Sequence, residues 1–221
     1  MHSIISGYAL DEGAWFIDPS INTTEKFDDY VRSSFSNRTD FTKLKERLNT
    51  LYPPPELPGS PFQNTLTRLS LYVGDSGFNC HNRMIAEAYP NKTFTYQASL
   101  SGGFHYVDQA PSFFDSNARA NSYMSESEKN SVRAFQSYLV SEITSGNPNT
   151  LRNEATIEWP STSGIAGKTL TGVLSLNNAY GPSGFSIIPS PRLVKDRCDF
   201  WSDVYWEKQK LFTKSLKGQG N

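Results

Sequence analysis

The chain has 221 residues, enough for one domain with a sizeable core or for a large part of a bigger one. Its 21 Lys and Arg balance 22 Asp and Glu, a net charge of -1, which argues against an electrostatic binder of nucleic acid or anionic membrane. No apolar run approaches the roughly 18 residues of a spanning helix, so no integral membrane segment is expected, and no basic stretch followed by an apolar one marks a signal peptide.

In chain order, residues 2–8 read as a short buried strand, followed by Asp11-Glu12-Gly13. Residues 24–35 predict a helix capped by Thr23 or Thr24, with Phe27, Tyr30, Val31 and Phe35 on one stripe. A second helix spans 40–51, with Phe41, Leu44, Leu48 and Leu51 inward, and Pro53-Pro54-Pro55 stops it. Residues 62–72 read as helical. Residues 78–89 predict an amphipathic helix whose apolar face is Phe78, Met84, Ile85, Ala88 and Tyr89 and which carries Cys80. Thr93 to Ala98 alternates with the period of a strand and leads into Gly102-Gly103-Phe104-His105-Tyr106-Val107-Asp108. Ser125 and Glu128 form a capping box. The helix that follows buries Val132, Phe135, Leu139 and Ile143 and stops at Gly146. Residues 154–176 read as short strands between loops. Leu193 to Phe212 reads as a final helix with Phe200, Trp201, Val204 and Leu211 inward.

Glu12 and His105 are the candidate catalytic pair. Each follows a predicted strand, where side chains are held yet open to substrate. An acid followed far downstream by a histidine is the tail of the order Ser…Asp/Glu…His. The imidazole takes and returns a proton, and the carboxylate fixes its tautomer. No serine is flanked by glycines two residues either side, as a nucleophile elbow requires. Gly74-Asp75-Ser76-Gly77 comes nearest, but it lacks the further glycine, and Ser76 reads as structural. Gly167-Lys168-Thr169 echoes a phosphate loop, yet position 162 is Thr where glycine is needed. Three histidines are too few and scattered for a metal site, and no cofactor motif survives. Cys80 and Cys198 are compatible with a disulfide or with two free thiols. Asn22, Asn37 and Asn91 open Asn-x-Ser/Thr triplets compatible with a secretory history.

Six segments, in order, resemble the type-B carboxylesterases, the cholinesterase and fungal lipase family. They are Asp11-Glu12-Gly13 followed by Trp15-Phe16; Gly74-Asp75…Cys80; Phe104-His105-Tyr106-Val107-Asp108; Gly146-Asn147-Pro148-Asn149; Trp159-Pro160; and Cys198-Asp199-Phe200-Trp201. The family has glycine where this chain has Tyr106, a side chain that crowds the loop or limits its backbone freedom.

The resemblance implies an α/β class chain with a partial α/β-hydrolase fold: the C-terminal strands of a mixed sheet and their covering helices over residues 1–221. It implies Glu12 as the triad acid, His105 as the base, and a Cys80–Cys198 disulfide. Closing a loop of 118 residues corresponds to roughly 4–5 kcal/mol in the chain-entropy picture. It also implies a small-molecule or lipid ester substrate, no cofactor, no nucleic-acid partner, and secretion. The helical stretch 24–70 is expected to wall an apolar substrate cleft. The nucleophile and oxyanion donors are expected upstream, so this chain alone is expected to be inactive. The rival expectations are a non-catalytic esterase-like binding or adhesion protein and a free-standing small α+β domain.

Overall fold

A computed structural model describes residues 3–35, 38–115, 125–177 and 184–218, with side chains up to 207. Four strands form one sheet in the order β1 (Ile4–Ala9), β2 (Thr93–Ala98), β3 (Val173–Leu176) and β4 (Phe185–Ile188). The pairs β1–β2 and β2–β3 are parallel, and β3–β4 is antiparallel. Parallel strands need cover on both faces. On one face Ile5, Phe94 and Tyr96 pack with Phe135 and Tyr138 of α6 (Glu126–Ser145) and with the buried Trp159. On the other, Tyr8 packs with Ala86 of α4 (Cys80–Ala88) and with Leu193.

Apart from the one-turn α5 (Gln109–Ser112), which lies against α6, the remaining helices build a second core. The stripes predicted for α1 (Thr24–Ser34) and α2 (Phe41–Leu51) point inward, Phe27, Val31, Leu44 and Leu48 being buried. They meet α3 (Thr65–Gly74) and α7 (Lys195–Gly218), whose Phe200, Trp201 and Val204 are buried; Leu211 lies outside the described side chains. Thr23 caps α1, and an Asn64–Thr67 capping box starts α3.

Between α3 and α4 the chain makes a π-helical turn, Asp75–Asn79. The wider turn brings Asp75 fully inside. There its carboxylate accepts from Tyr52 Oη (2.8 Å), Asn79 Nδ2 (3.0 Å) and Arg197 Nε (2.6 Å). Trp201 Nε1 donates in turn to Tyr52 Oη at 2.9 Å. Beside this network Cys80 and Cys198 form a disulfide, Cα to Cα 4.9 Å, that ties the start of α4 to α7.

Three expectations are corrected, and one strand, β4, goes unpredicted. Residues 154–162 are not strand: Trp159 exchanges its backbone bonds with the Asn149 carboxamide, N–H to Oδ1 and Nδ2 to O, both 2.8 Å, which replaces a partner strand. Strand β4 is an edge strand whose register comes from β3, a pairing that its own four residues do not announce.

In α4, Ala88 and Tyr89 face solvent, while Arg83 is fully buried. The Arg83 guanidinium donates to the carbonyls of Leu193, Ile165 and Gly167, and to Glu87, so a residue that reads as outer face is a clamp inside.

In α6, Ile143 is 83% exposed. The inner stripe steps through Val132, Phe135, Tyr138 and Ser141 instead. Ser141 Oγ is needed inside, donating to Asn147 O (2.6 Å) and accepting from Leu151 N (2.8 Å). Ile143 lies two residues on, about 200° round the helix.

Candidate active site

The β1–β2 ladder outlasts both strands. Leu10 N donates to Ala98 O at 2.9 Å, and Asp11 N donates to Gly103 O at 2.7 Å, forming an isolated parallel bridge from Asp11 to Phe104. Carrying the ladder this far sets the next residue of each loop side by side, and those residues are Glu12 and His105.

Glu12 Oε2 lies 2.5 Å from His105 Nδ1, and Glu12 Oε1 accepts from Ala9 N, also at 2.5 Å. The backbone bond fixes the carboxylate, and the carboxylate fixes the ring. The Glu12 side chain is 8% exposed and that of His105 17%. With Nδ1 donating to the carboxylate, neutral His105 presents the Nε2 lone pair as a base. No hydroxyl among the described residues is bonded to Nε2; Ser76 Oγ donates instead to Val73 O at 3.0 Å.

Packing holds the Glu12 turn from below. A Cβ on Gly13 would stand 1.9 Å from Ser70 O of α3, so only glycine allows this close approach. Ser70 Oγ donates to Asp11 Oδ1 at 2.5 Å. The His105 loop has its own anchor. Tyr96 of β2 reaches over Gly7 and donates to Asp108 Oδ2 at 2.6 Å. Burial, and then the Asp108 charge, push the Tyr96 phenol well above its ordinary range, so it stays a donor.

Three rings enclose the imidazole: Tyr106 at 4.1 Å between centroids, Phe78 at 4.6 Å and Phe16 at 5.0 Å. Trp15 stacks on Phe104 at 6.3 Å, and both are exposed. Tyr106 has φ +70°, the left-handed region that favours glycine. The aromatics after Gly13 are visible in sequence. The contact of Phe78 with the imidazole and the Tyr96–Asp108 anchor carry no local signal.

The groove lined by Ile17, Leu51, Phe62, Leu66, Arg192 and Arg197 has a volume of 580 Å³. Asp11 borders it, but neither Glu12 nor His105 does, so it is separate from the acid–imidazole pair. Among the described residues no group of three or more His, Cys, Asp or Glu is placed to hold a metal ion, and no helix is long and apolar enough to cross a membrane.

A mixed sheet flanked by helices, with an acid and an imidazole meeting past the ends of parallel strands, defines a partial α/β-hydrolase fold. Among solved structures, Aspergillus niger EstA matches with a TM-score of 0.65 over 91% of this chain and 40% of that one, at 21% identity. In sequence, the chain is 25% identical over 208 residues to a secreted lipase of Arthroderma benhamiae, covering 92% of this chain and 38% of the relative. It is likewise 25% identical over 217 residues to secreted lipase 4 of Gibberella zeae, covering 90% and 36%. No family model matches the chain. These likenesses support a lipase or esterase relationship, and the chain spans less than two fifths of the length of the two lipases it matches.

Proposed function

We propose that residues 1–221 are the C-terminal part of a type-B carboxylesterase/lipase whose reaction is hydrolysis of a carboxylic ester through an acyl-serine intermediate. The Glu12–His105 contact carries this reading. His105 Nε2 takes the proton of a serine hydroxyl as that oxygen attacks the ester carbonyl. Glu12 stabilises the imidazolium that results. The Nε2 proton then passes to the departing alkoxide, and a water repeats the sequence on the acyl-enzyme.

The 221 residues contain no Gly-x-Ser-x-Gly. The nucleophile and the oxyanion donors are therefore assigned to polypeptide outside them, and these residues alone are expected to show little or no turnover. The short coverage of the relatives supports this assignment. Secretion is supported by the names of those relatives and by the disulfide, which forms in oxidising compartments. Retention of both Glu12 and His105, bonded and mostly shielded from water, favours an enzyme over a binding or adhesion role.

The test compares the 221 residues with a polypeptide extended through an in-frame Gly-x-Ser-x-Gly, using a chromogenic short-chain ester. The extended protein turns over, and Glu12→Gln lowers kcat by roughly 10⁴-fold and His105→Ala by roughly 10⁶-fold. Turnover that survives the double change would falsify the assignment.

A further inference from the structure

The Asn-x-Ser/Thr triplets at Asn22 and Asn91 stand in contrasting surroundings, while Asn37 lies outside the described residues. Asn22 is exposed in the coil before α1. Its Oδ1 accepts from Lys26 Nζ at 3.4 Å, and its Nδ2 donates to nothing among the described residues. Thr23, not Asn22, caps α1, so a group added to Nδ2 disturbs no cap. Thr24, the third residue of this triplet, donates to the exposed Glu56 carboxylate at 2.9 Å. A surface bond of this kind opens at little cost.

Asn91 is also exposed, in the turn before β2 with φ +60°. Its triplet ends at Thr93, which is 1% exposed and paired with Ile4 in the sheet. Thr93 Oγ1 donates to Tyr89 O at 3.1 Å, and Thr93 O accepts from Thr162 N at 2.7 Å. A glycan-transferring enzyme reads the asparagine amide and the hydroxyl two residues on. Exposing Thr24 takes one side-chain rotation. Exposing Thr93 requires β2, paired on both sides, to leave the sheet.

We propose that, of these two, Asn22 is the main N-glycan acceptor and that Asn91 accepts only until β2 seats. This goes beyond the ester-hydrolase reading and rests on its secretory part alone. The donor is an oligosaccharide carried on a lipid pyrophosphate. Asn22 Nδ2 attacks the sugar C1, the N–C1 bond forms as the C1–O bond to phosphate breaks, the lipid pyrophosphate leaves, and the Nδ2 proton passes to a base of the transferase.

The test translates the full chain behind a cleavable leader with microsomes, in an Asn37→Gln background. Site occupancy is read by mass spectrometry after enzymatic deglycosylation in heavy-oxygen water. Microsomes supply the donor wherever the natural chain travels, so the acceptor claim is tested apart from secretion, which fractionation of the native source reads separately. The expected result is a glycosidase-sensitive mobility shift that Asn22→Gln and Thr24→Ala each remove and Asn91→Gln leaves, with Asn22 occupied several-fold more than Asn91. Occupancy at Asn91 rises in a Cys80→Ser/Cys198→Ser variant, where closure of the core is delayed. No shift, a shift that survives Asn22→Gln, or equal occupancy of both sites in the oxidised chain overturns the proposal.

Discussion

Phe78 lies with its ring centre 4.6 Å from that of His105, and it reaches the imidazole from within the Asp75–Asn79 π-turn. The same turn carries Asp75 into the buried Tyr52–Arg197 network, so one local widening of the helix serves both the core and the imidazole wall. Phe16 stacks on Phe78 at 5.2 Å and closes the wall from the Glu12 side.

Truncating Phe78 to alanine is therefore expected to loosen His105. Loss of two aromatic contacts to a half-buried ring corresponds to about 1–2 kcal/mol of folding stability. The Nδ1 proton of His105, followed by NMR, then exchanges with water faster than in the parent chain. An unchanged exchange rate alongside lowered stability would show that Phe78 matters to the core and not to the imidazole.

Tyr106 holds a left-handed backbone that costs a residue with a Cβ about 1–2 kcal/mol. Tyr106→Ala removes the ring and keeps that penalty; Tyr106→Gly removes both, and gives back about 0.5–1 kcal/mol through the freer unfolded chain. The glycine variant is expected to be the more stable of the two by about 0.5–1 kcal/mol in urea titration. At a position with ordinary φ the order reverses, which is what the comparison discriminates.

Gly7 faces the Tyr96 ring across the β1–β2 pair, and a Cβ there would stand 1.9 Å from Tyr96 Cζ. Gly7→Ala is expected to tilt the ring, to break its bond to Asp108, and to cost about 2–3 kcal/mol. Tyr96→Phe isolates the lost bond, at about 1.5–3 kcal/mol for a partner that is charged. A Gly7→Ala protein as stable as its parent would refute the close approach.

Both half-cystines are buried, so mild reductant is expected to act slowly on the folded chain. Replacing both by serine is expected to cost about 2–5 kcal/mol, measured as a shift in the urea midpoint. Reductant then lowers the midpoint of the parent chain and leaves that of the variant unmoved.

Local patterns predicted what local physics decides. The Ser125–Glu128 capping box, the Gly146 stop, the stripes of α1 and α2, and the alternation of Thr93 to Ala98 were all readable, because each depends on neighbours within one turn or one pleat. The residue types of the candidate site were readable too, since a carboxylate and an imidazole after strands limit the chemistry they can perform. Long-range pairing decided the rest. Arg83 is buried because three carbonyls from distant loops converge on it, and Ile143 is exposed because Ser141 is needed inside to stitch the next turn. The distance from Glu12 to His105 is likewise a property of the ladder between β1 and β2, which holds together residues 93 apart in the chain. Sequence alone determined which groups are present and which helices they punctuate. Tertiary structure decided which of them touch, because contact between segments so far apart is set by sheet register and core packing and not by the residues on either side.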